Sequence, residues 1–152
     1  MKLVDVPFNL DVTLCCGQVF RWDRKGVWWY GVAGGRAFKV RLVKGELEFA
    51  NADWKFVETY FGLDDDLQKV AVVVGRDKHM RKALQEFWGM RIIRQEPWEC
   101  LISYICATYK NIPAIKHMLL NLSSKFGEKI ILDGMEFFTF PAPEKLANAK
   151  IT

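Results

Sequence analysis

The sequence predicts an α+β protein: a twisted antiparallel β-sheet with flanking helices, followed by the beginning of a helical part. Three observations predict it. Short β-prone runs punctuated by glycine turns fill residues 18–50, and the apolar spacing then switches from alternating to helical near Asn51. A further pair of helical runs opens at Pro97, after a connector with no helical period.

The runs QVFRWD, VWWYGVA, AFKVRLV and ELEFA are separated by Arg24–Gly26, Gly34-Gly35 and Lys44-Gly45, the turn chemistry of hairpins. In the third run Phe38, Val40 and Leu42 alternate with Lys39 and Arg41, so the sheet has one buried face. After Asn51 and Asp53, the residues Trp54, Val57, Tyr60 and Phe61 recur at helical spacing, with Gly62 as the stop. Asp64–Asp66 opens another helical run ending near Gly75. That acid triplet suits capping and the helix dipole better than a metal. Asp77–Phe87 reads as a third helix, with Met80, Leu84 and Phe87 on its apolar face.

Gly89–Glu96 is a connector, and the domain boundary falls there: residues 1–88 form a sheet domain and residues 89–152 begin a helical one. Pro97 suits the first position of a helix over Pro97–Thr108, and Glu96 and Glu99 suit the positive end of its dipole. Leu101, Ile102, Ile105 and Cys106 then mark one face for burial. A helix over Pro113–Phe126 turns Ile115, Met118, Leu119 and Leu122 inward and stops at Gly127. A loop rich in Phe137, Phe138, Phe140, Pro141 and Pro143 leads to a short helical start at Glu144–Lys150.

At 152 residues the chain can bury one core, or two small ones sharing a wall, and 51% apolar with 26% charged residues is ordinary for a globular protein. No apolar run approaches the roughly 18–20 residues of a membrane span. Asp5 and Pro7 stand where a signal peptide would need its apolar core, so a cytoplasmic chain is expected, associated with the nucleoid if prokaryotic. A net charge of +4 and a pI near 8.9 fit an anionic partner without specifying one. Cys15, Cys16, Cys100 and Cys106 show no C-x-x-C spacing, and His79 and His117 are remote from them in sequence. Reduced thiols are expected, with no metal and no cofactor.

Two segments carry a more specific signal. The run RQEPWECLISYIC at Arg94–Cys106, followed by Asn111-Ile112, and the run CGQVFRW at Cys16–Trp22 stand in an order and separation that resemble the 8-oxoguanine DNA glycosylases. The resemblance implies a sheet domain followed by an incomplete all-α helix-hairpin-helix glycosylase domain. In the family a Gly-rich hairpin holds backbone phosphate, a lysine after it displaces the damaged base and forms a Schiff base with the sugar, and an aspartate assists. Residues 1–152 contain no such hairpin, lysine or aspartate. No catalytic residue is therefore assigned to this chain, and alone it is expected to be inactive. The implied partner is double-stranded DNA containing oxidised guanine, with no membrane.

On its residues alone Gly17 reads as a turn glycine; by resemblance its carbonyl accepts a hydrogen bond from N7–H of a flipped 8-oxoguanine. Guanine has a lone pair there, so one oxygen can separate two nearly isosteric bases. Gln18, Phe20, Arg21 and Trp22 read as the packing and hydrogen-bonding residues that hold Gly17. The loop Tyr109, Lys110 and Asn111 reads either as an exposed interhelical turn or, by resemblance, as the segment that fills the gap left by the flipped nucleotide. Family members carry asparagines where this chain has Tyr109 and Lys110, and an arginine where it has Ala114. Tyrosine can still wedge into a base stack and lysine can contact phosphate. Arg91, Arg94, Lys116 and Lys125 could flank such a surface.

Two alternatives stand beside this reading: a non-catalytic DNA-binding or regulatory remnant of the family, and a fragment of an alkylated-base DNA glycosylase. Ile102, Ile105, Met118 and Phe126 are expected to form an apolar patch that drives self-association.

Overall fold

Asn9, Asp53, Asp66, Asp77, Glu96 and Asn111 each start a helix by accepting a hydrogen bond from a backbone N–H of its first turn. These acceptors satisfy donors that no helix can pair internally. The computed structural model describes Lys2–Leu3, by backbone alone, and Asp5–Ala149. The chain divides into two units interleaved in sequence, Met1–Val19 with Arg41–Arg94, and Phe20–Val40 with Gln95–Thr152.

Seven strands and seven helices are described. In chain order they begin with β1 (Lys2–Leu3), α1 (Leu10–Cys15), β2 (Trp22–Lys25), β3 (Trp28–Ala33), β4 (Arg36–Val43) and β5 (Glu46–Ala50). Then come α2 (Trp54–Tyr60), α3 (Leu67–Val74), α4 (Lys78–Glu86), α5 (Pro97–Ala107) and α6 (Ile112–Phe126). The hairpin β6 (Lys129–Leu132) and β7 (Met135–Phe138) follows, and α7 (Pro143–Ala147) is last. The main sheet has strand order β1-β5-β4-β3-β2, and the β1/β5, β2/β3 and β3/β4 pairings are antiparallel.

The first unit buries Leu10, Leu14, Leu47, Val57, Phe61 and Ile93. Phe61 lies at its centre, with its ring 5.4 Å from Phe8 and edge-on to Tyr60 at 5.0 Å. Asp66 caps α3 through Lys69 N–H at 3.0 Å, while Asp64 and Asp65 pair with Arg94. The acid triplet thus serves a cap and an ion pair. Among the described residues no group of three or more His, Cys, Asp or Glu is arranged to hold a metal ion.

In the second unit, Trp22, Gly31 and Phe38 fall in register across β2, β3 and β4. The Trp22 ring lies directly on Gly31, where an added Cβ would come within 2.3 Å of it, and meets the Phe38 ring edge-on at 4.9 Å. Only a residue without a side chain leaves room for that ring. In β4, Ala37, Phe38 and Val40 are buried while Lys39 and Arg41 are half-buried. The polar pair stays off the core, but the single buried face expected does not hold: Leu42 is only half-buried, Ala37 on the pair's own side is fully buried, and β3 is buried on both faces from Trp29 to Ala33.

The α5 face expected to be buried is not: Leu101 and Ile105 are 52% and 57% exposed, and the helix buries Ser103 instead. Three further expectations need correction. The first strand of the meander starts at Trp22, because the Gln18 side chain is committed to hydrogen bonds outside any ladder. Helix α1 has no counterpart in the sequence reading. The part beyond residue 89 is also not the expected all-α helix-hairpin-helix domain. Its two long helices are followed by β6 and β7, where a loop was expected. The signal for that hairpin is Asp133-Gly134, whose φ values of 50° and 73° place both residues in the left-handed region that a two-residue hairpin turn requires.

Candidate nucleic-acid interface

The glycine singled out by sequence sits at a helix end. Helix α1 stops at Cys15, Cys16 caps it, and Gly17 follows with φ +87°, a conformation that L side chains resist. The next residue fixes the turn. Gln18 Nε2 donates to the carbonyls of Thr13 at 3.1 Å and Arg91 at 2.8 Å, and its Oε1 accepts from Ile93 N–H at 2.8 Å. Thr13, fully buried, accepts from Arg91 N–H at 3.1 Å through its hydroxyl, which itself donates to the Asn9 carbonyl at 2.7 Å.

The connector Gly89–Glu96 is therefore an ordered strap. Arg91 and Ile93 point inward, 2% and 4% exposed, while Ile92 between them is 70% exposed. The Arg91 guanidinium donates to three backbone carbonyls, Pro7 at 2.6 Å and 2.9 Å, Gly62 at 3.2 Å and Asp65 at 2.8 Å. Burial pulls its pKa down, and the nearby charges of Asp65 and Asp64 work against that. Arg91 is thus an internal brace, which corrects its assignment to a DNA-facing surface. Arg94, half a strap-turn on, is exposed and holds Asp64 and Asp65, each at 2.8 Å. That Arg91 would be internal has one signal in the sequence: it alternates with Ile92 and Ile93 at a spacing that puts one basic residue on the Ile93 face.

The second candidate loop belongs to the second unit. Helix α5 ends at Ala107, Thr108 caps it, and Tyr109 takes φ +56° with its side chain fully exposed. The Lys110 N–H returns to the Ala107 carbonyl at 3.1 Å, closing the turn. Asn111 is the N-cap of α6, its Oδ1 accepting from Ala114 N–H at 3.0 Å. Tyr109, Lys110 and Asn111 are thus one continuous loop, with Asn111 committed to the helix and the other two side chains exposed. An aromatic residue held in the left-handed region with nothing covering it is a strained feature of the kind found at binding loops.

Arg21 is internal. It is 9% exposed, pairs with Glu99 at 3.0 Å, donates to the Phe138 carbonyl and lies 5.6 Å from the Phe140 ring centre. Burial raises the pKa of Glu99, and the Arg21 charge opposes the shift. Lys116 donates to the Trp22 carbonyl at 3.2 Å and pairs with Asp23 at 3.3 Å. Lys125 lies over the Phe126 ring. The four cysteines are free thiols.

The N-terminal domain family of 8-oxoguanine DNA glycosylase matches residues 2–101. The chain belongs to the 8-oxoguanine DNA glycosylase family. It is 27% identical over 169 aligned residues to the N-glycosylase/DNA lyase OGG1 of Arabidopsis thaliana, covering 97% of this chain and 44% of that protein. Among solved structures it resembles MBOgg1 in complex with a low-affinity DNA ligand, with TM-score 0.90 and 32% identity over 96% of this chain and 53% of that one. It also resembles the 8-oxoguanine glycosylase/lyase of Clostridium acetobutylicum bound to double-stranded DNA with cytosine opposite 8-oxoguanine. There the TM-score is 0.89 and the identity 30%, over 94% of this chain and 51% of that one. The chain spans about half the length of these relatives. No helix among the described residues is long and apolar enough to cross a membrane.

Proposed function

We propose that these 152 residues are the lesion-reading part of a base-excision-repair enzyme, an 8-oxoguanine DNA N-glycosylase and abasic-site lyase acting on duplex DNA. The observation that carries the reading is the match of nearly the whole chain, at TM-score 0.89, to a glycosylase/lyase solved on DNA bearing that lesion. In this reading the Gly17 carbonyl accepts the N7–H of the extruded base, and the braced Gln18 keeps that carbonyl fixed. Tyr109 enters the gap left in the stack and Lys110 contacts phosphate, while Asn111 shapes the loop from the helix cap. The sugar-attacking lysine and its aspartate are not among these residues. Residues 1–88 act as the sheet domain and residues 89–152 begin the second. The enzyme works without cofactor, in the cytoplasm and on the nucleoid if the source is prokaryotic.

A second reading, a non-catalytic DNA-binding remnant of the family, draws on Tyr109, Lys110 and Ala114, which replace the family's two asparagines and its arginine. One experiment separates them. Duplexes with 8-oxoguanine or guanine opposite cytosine are titrated with the chain by fluorescence anisotropy, then treated with borohydride. Preferential binding of the lesion supports the first reading. Equal binding of both duplexes supports the remnant. For residues 1–152 alone no trapped adduct is expected, since trapping needs an amine positioned at the sugar. An adduct would place the nucleophile among the lysines of this chain.

A further inference from the structure

No residue of α3 or α4 is buried, although both helices carry apolar side chains and both are capped, by Asp66 and Asp77. Val70, Val72, Val73, Met80, Phe87 and Trp88 are all exposed, Val72 to 77%. A single exposed apolar side chain on a helix needs no explanation. Six within one helix pair mark a surface that meets a partner.

Between the two helices, within the first unit, runs an open groove of about 650 Å³ walled by Ala71, Val72, Leu84 and Trp88, with Arg81 and Gln85 on its polar side. Arg81 donates to the Gly75 and Arg76 carbonyls at 3.2 Å and 2.7 Å, which ties α4 to the end of α3. The rim is basic. Lys78 stands one turn before Arg81 on the same side of α4, and Lys82 flanks them. From Arg76 to Trp88 there are four basic residues, Arg76, Lys78, Arg81 and Lys82, against Asp77 and Glu86. Asp77 is committed to the α4 N-cap. Among the described residues none of the four cations pairs with a carboxylate.

Charge decides between the occupants such a groove could take. A second copy docked through the same face would set these cations against themselves. Duplex DNA would engage the cations and leave the valines and aromatic rings in water. An amphipathic helix with carboxylates beside its apolar stripe satisfies both surfaces, in the helix-in-groove mode of recognition. We propose that the α3–α4 groove docks such an acidic amphipathic helix from a partner protein. Its apolar stripe meets Val72, Leu84 and Trp88, and its carboxylates meet Lys78, Arg81 and Lys82.

The test uses the full chain, ¹⁵N-labelled, titrated by NMR with two synthetic peptides of about sixteen residues, roughly four helical turns each. Both carry leucine at i, i+3, i+4 and i+7 spacing; one has glutamate at the remaining positions and the other lysine. Expected are saturable shifts in α3, α4 and the turn between them. The glutamate peptide should bind about tenfold more tightly than the lysine peptide, by a margin that narrows as salt screens the charges. Val72→Glu should weaken the glutamate peptide about tenfold, and Lys78→Glu with Lys82→Glu should remove its advantage. All three side chains are exposed, so these variants leave the core untouched. The proposal is overturned by the absence of saturable shifts, by equal affinities for the two peptides, or by binding that Val72→Glu leaves unchanged. Self-association that Val72→Glu removes would make a second copy the occupant, and an undamaged duplex that displaces the peptide while shifting the same residues would make it DNA. Loss of peptide binding once the chain is joined to a helical half would make that half the occupant; each of these also overturns the proposal.

Discussion

The Gln18 side-chain amide reaches 73 residues along the chain to donate a 2.8 Å hydrogen bond to the Arg91 carbonyl. Its oxygen meanwhile accepts from Ile93 N–H at 2.8 Å, so one planar group pins both sides of the strap to the turn at Gly17. Arg91 completes the arrangement from the other end, its guanidinium spread over three carbonyls from two segments, Pro7 and the Gly62–Asp65 turn. A turn held this way presents its carbonyl with little freedom, which is what discrimination by a single hydrogen bond demands.

Gln18→Glu tests the brace. A carboxylate cannot donate to the Thr13 and Arg91 carbonyls, so two acceptors lose their donor and face negative charge instead. Urea denaturation should show a loss of about 2–3 kcal/mol. A loss below about 0.5 kcal/mol would mean that water replaces the amide there at no cost.

Tyr109→Gly should move stability and DNA binding in opposite directions. A left-handed tyrosine costs roughly 1–2 kcal/mol that glycine does not incur, part of which returns as unfolded-chain entropy, so a net gain of up to about 1 kcal/mol is expected. Affinity for lesion-containing duplex should fall by about 1–3 kcal/mol if the ring stacks in the vacated gap. Thermal melts and anisotropy on the same samples check both. Unchanged affinity would leave Tyr109 as a turn residue only.

Much of this arrangement was legible in the sequence, and the parts that were not have a common cause. The meander showed itself through alternation and glycine turns, and the α2–α6 helices through caps and stops close to their observed ends. These are local signals. The strap was barely legible: beyond the alternation of Arg91 with Ile92 and Ile93, Arg91 lies among exposed-looking basic residues, and its partners, Pro7 and the Gly62–Asp65 turn, are distant in sequence. Helix α1 is only six residues, too short for a periodicity to stand out. The β6–β7 hairpin did carry a local signal, Asp133-Gly134, that was outweighed by the aromatic and proline content beside it.

The Arg21–Glu99 pair makes a pH prediction with a definite sign. Burial raises the Glu99 pKa in the folded state despite the neighbouring guanidinium, so the folded chain holds that proton more tightly than the unfolded one. Its contribution to stability is therefore greatest below the unfolded glutamate value of about 4.3 and declines as pH rises to the folded pKa, beyond which it is flat. Asp133, lowered by its bonds to Lys39 and Tyr30, contributes the opposite slope at lower pH. The difference between wild type and Glu99→Gln isolates the first effect. Unfolding free energies between pH 4 and 7 should show wild type losing ground to the variant as pH rises; a flat or rising difference would refute the assignment.

Self-association is expected of residues 1–152 in isolation, though not through the whole patch foreseen. Ile105 is 57% exposed, whereas Ile102, Met118 and Phe126 are half-buried. The uncovered face of α5 is instead Leu101, Tyr104 and Ile105, spaced to lie on one side of the helix. Sedimentation velocity should show a concentration-dependent increase in mass that Leu101→Glu with Ile105→Lys removes. A monomer at every concentration would count against this face as a contact surface.

Gly17→Ala bears most directly on the proposed chemistry. At φ +87° an added methyl is strained, and relief of that strain turns the peptide whose carbonyl would read N7–H. The strap prevents the neighbouring residues from following, since Gln18 is held on both sides. When the chain is joined to a helical half that carries the lysine, as the proposed function requires, the preference for 8-oxoguanine over guanine should drop by about 1–3 kcal/mol, the scale of one buried hydrogen bond left unmade. Affinity for undamaged duplex should hardly change, because phosphate contacts supply most of it and lie elsewhere. Excision of 8-oxoguanine and binding to matched undamaged duplex, measured in the same buffer, separate the two. Parallel losses would reduce Gly17 to the glycine that ends α1, and no loss in either would remove it from the site altogether.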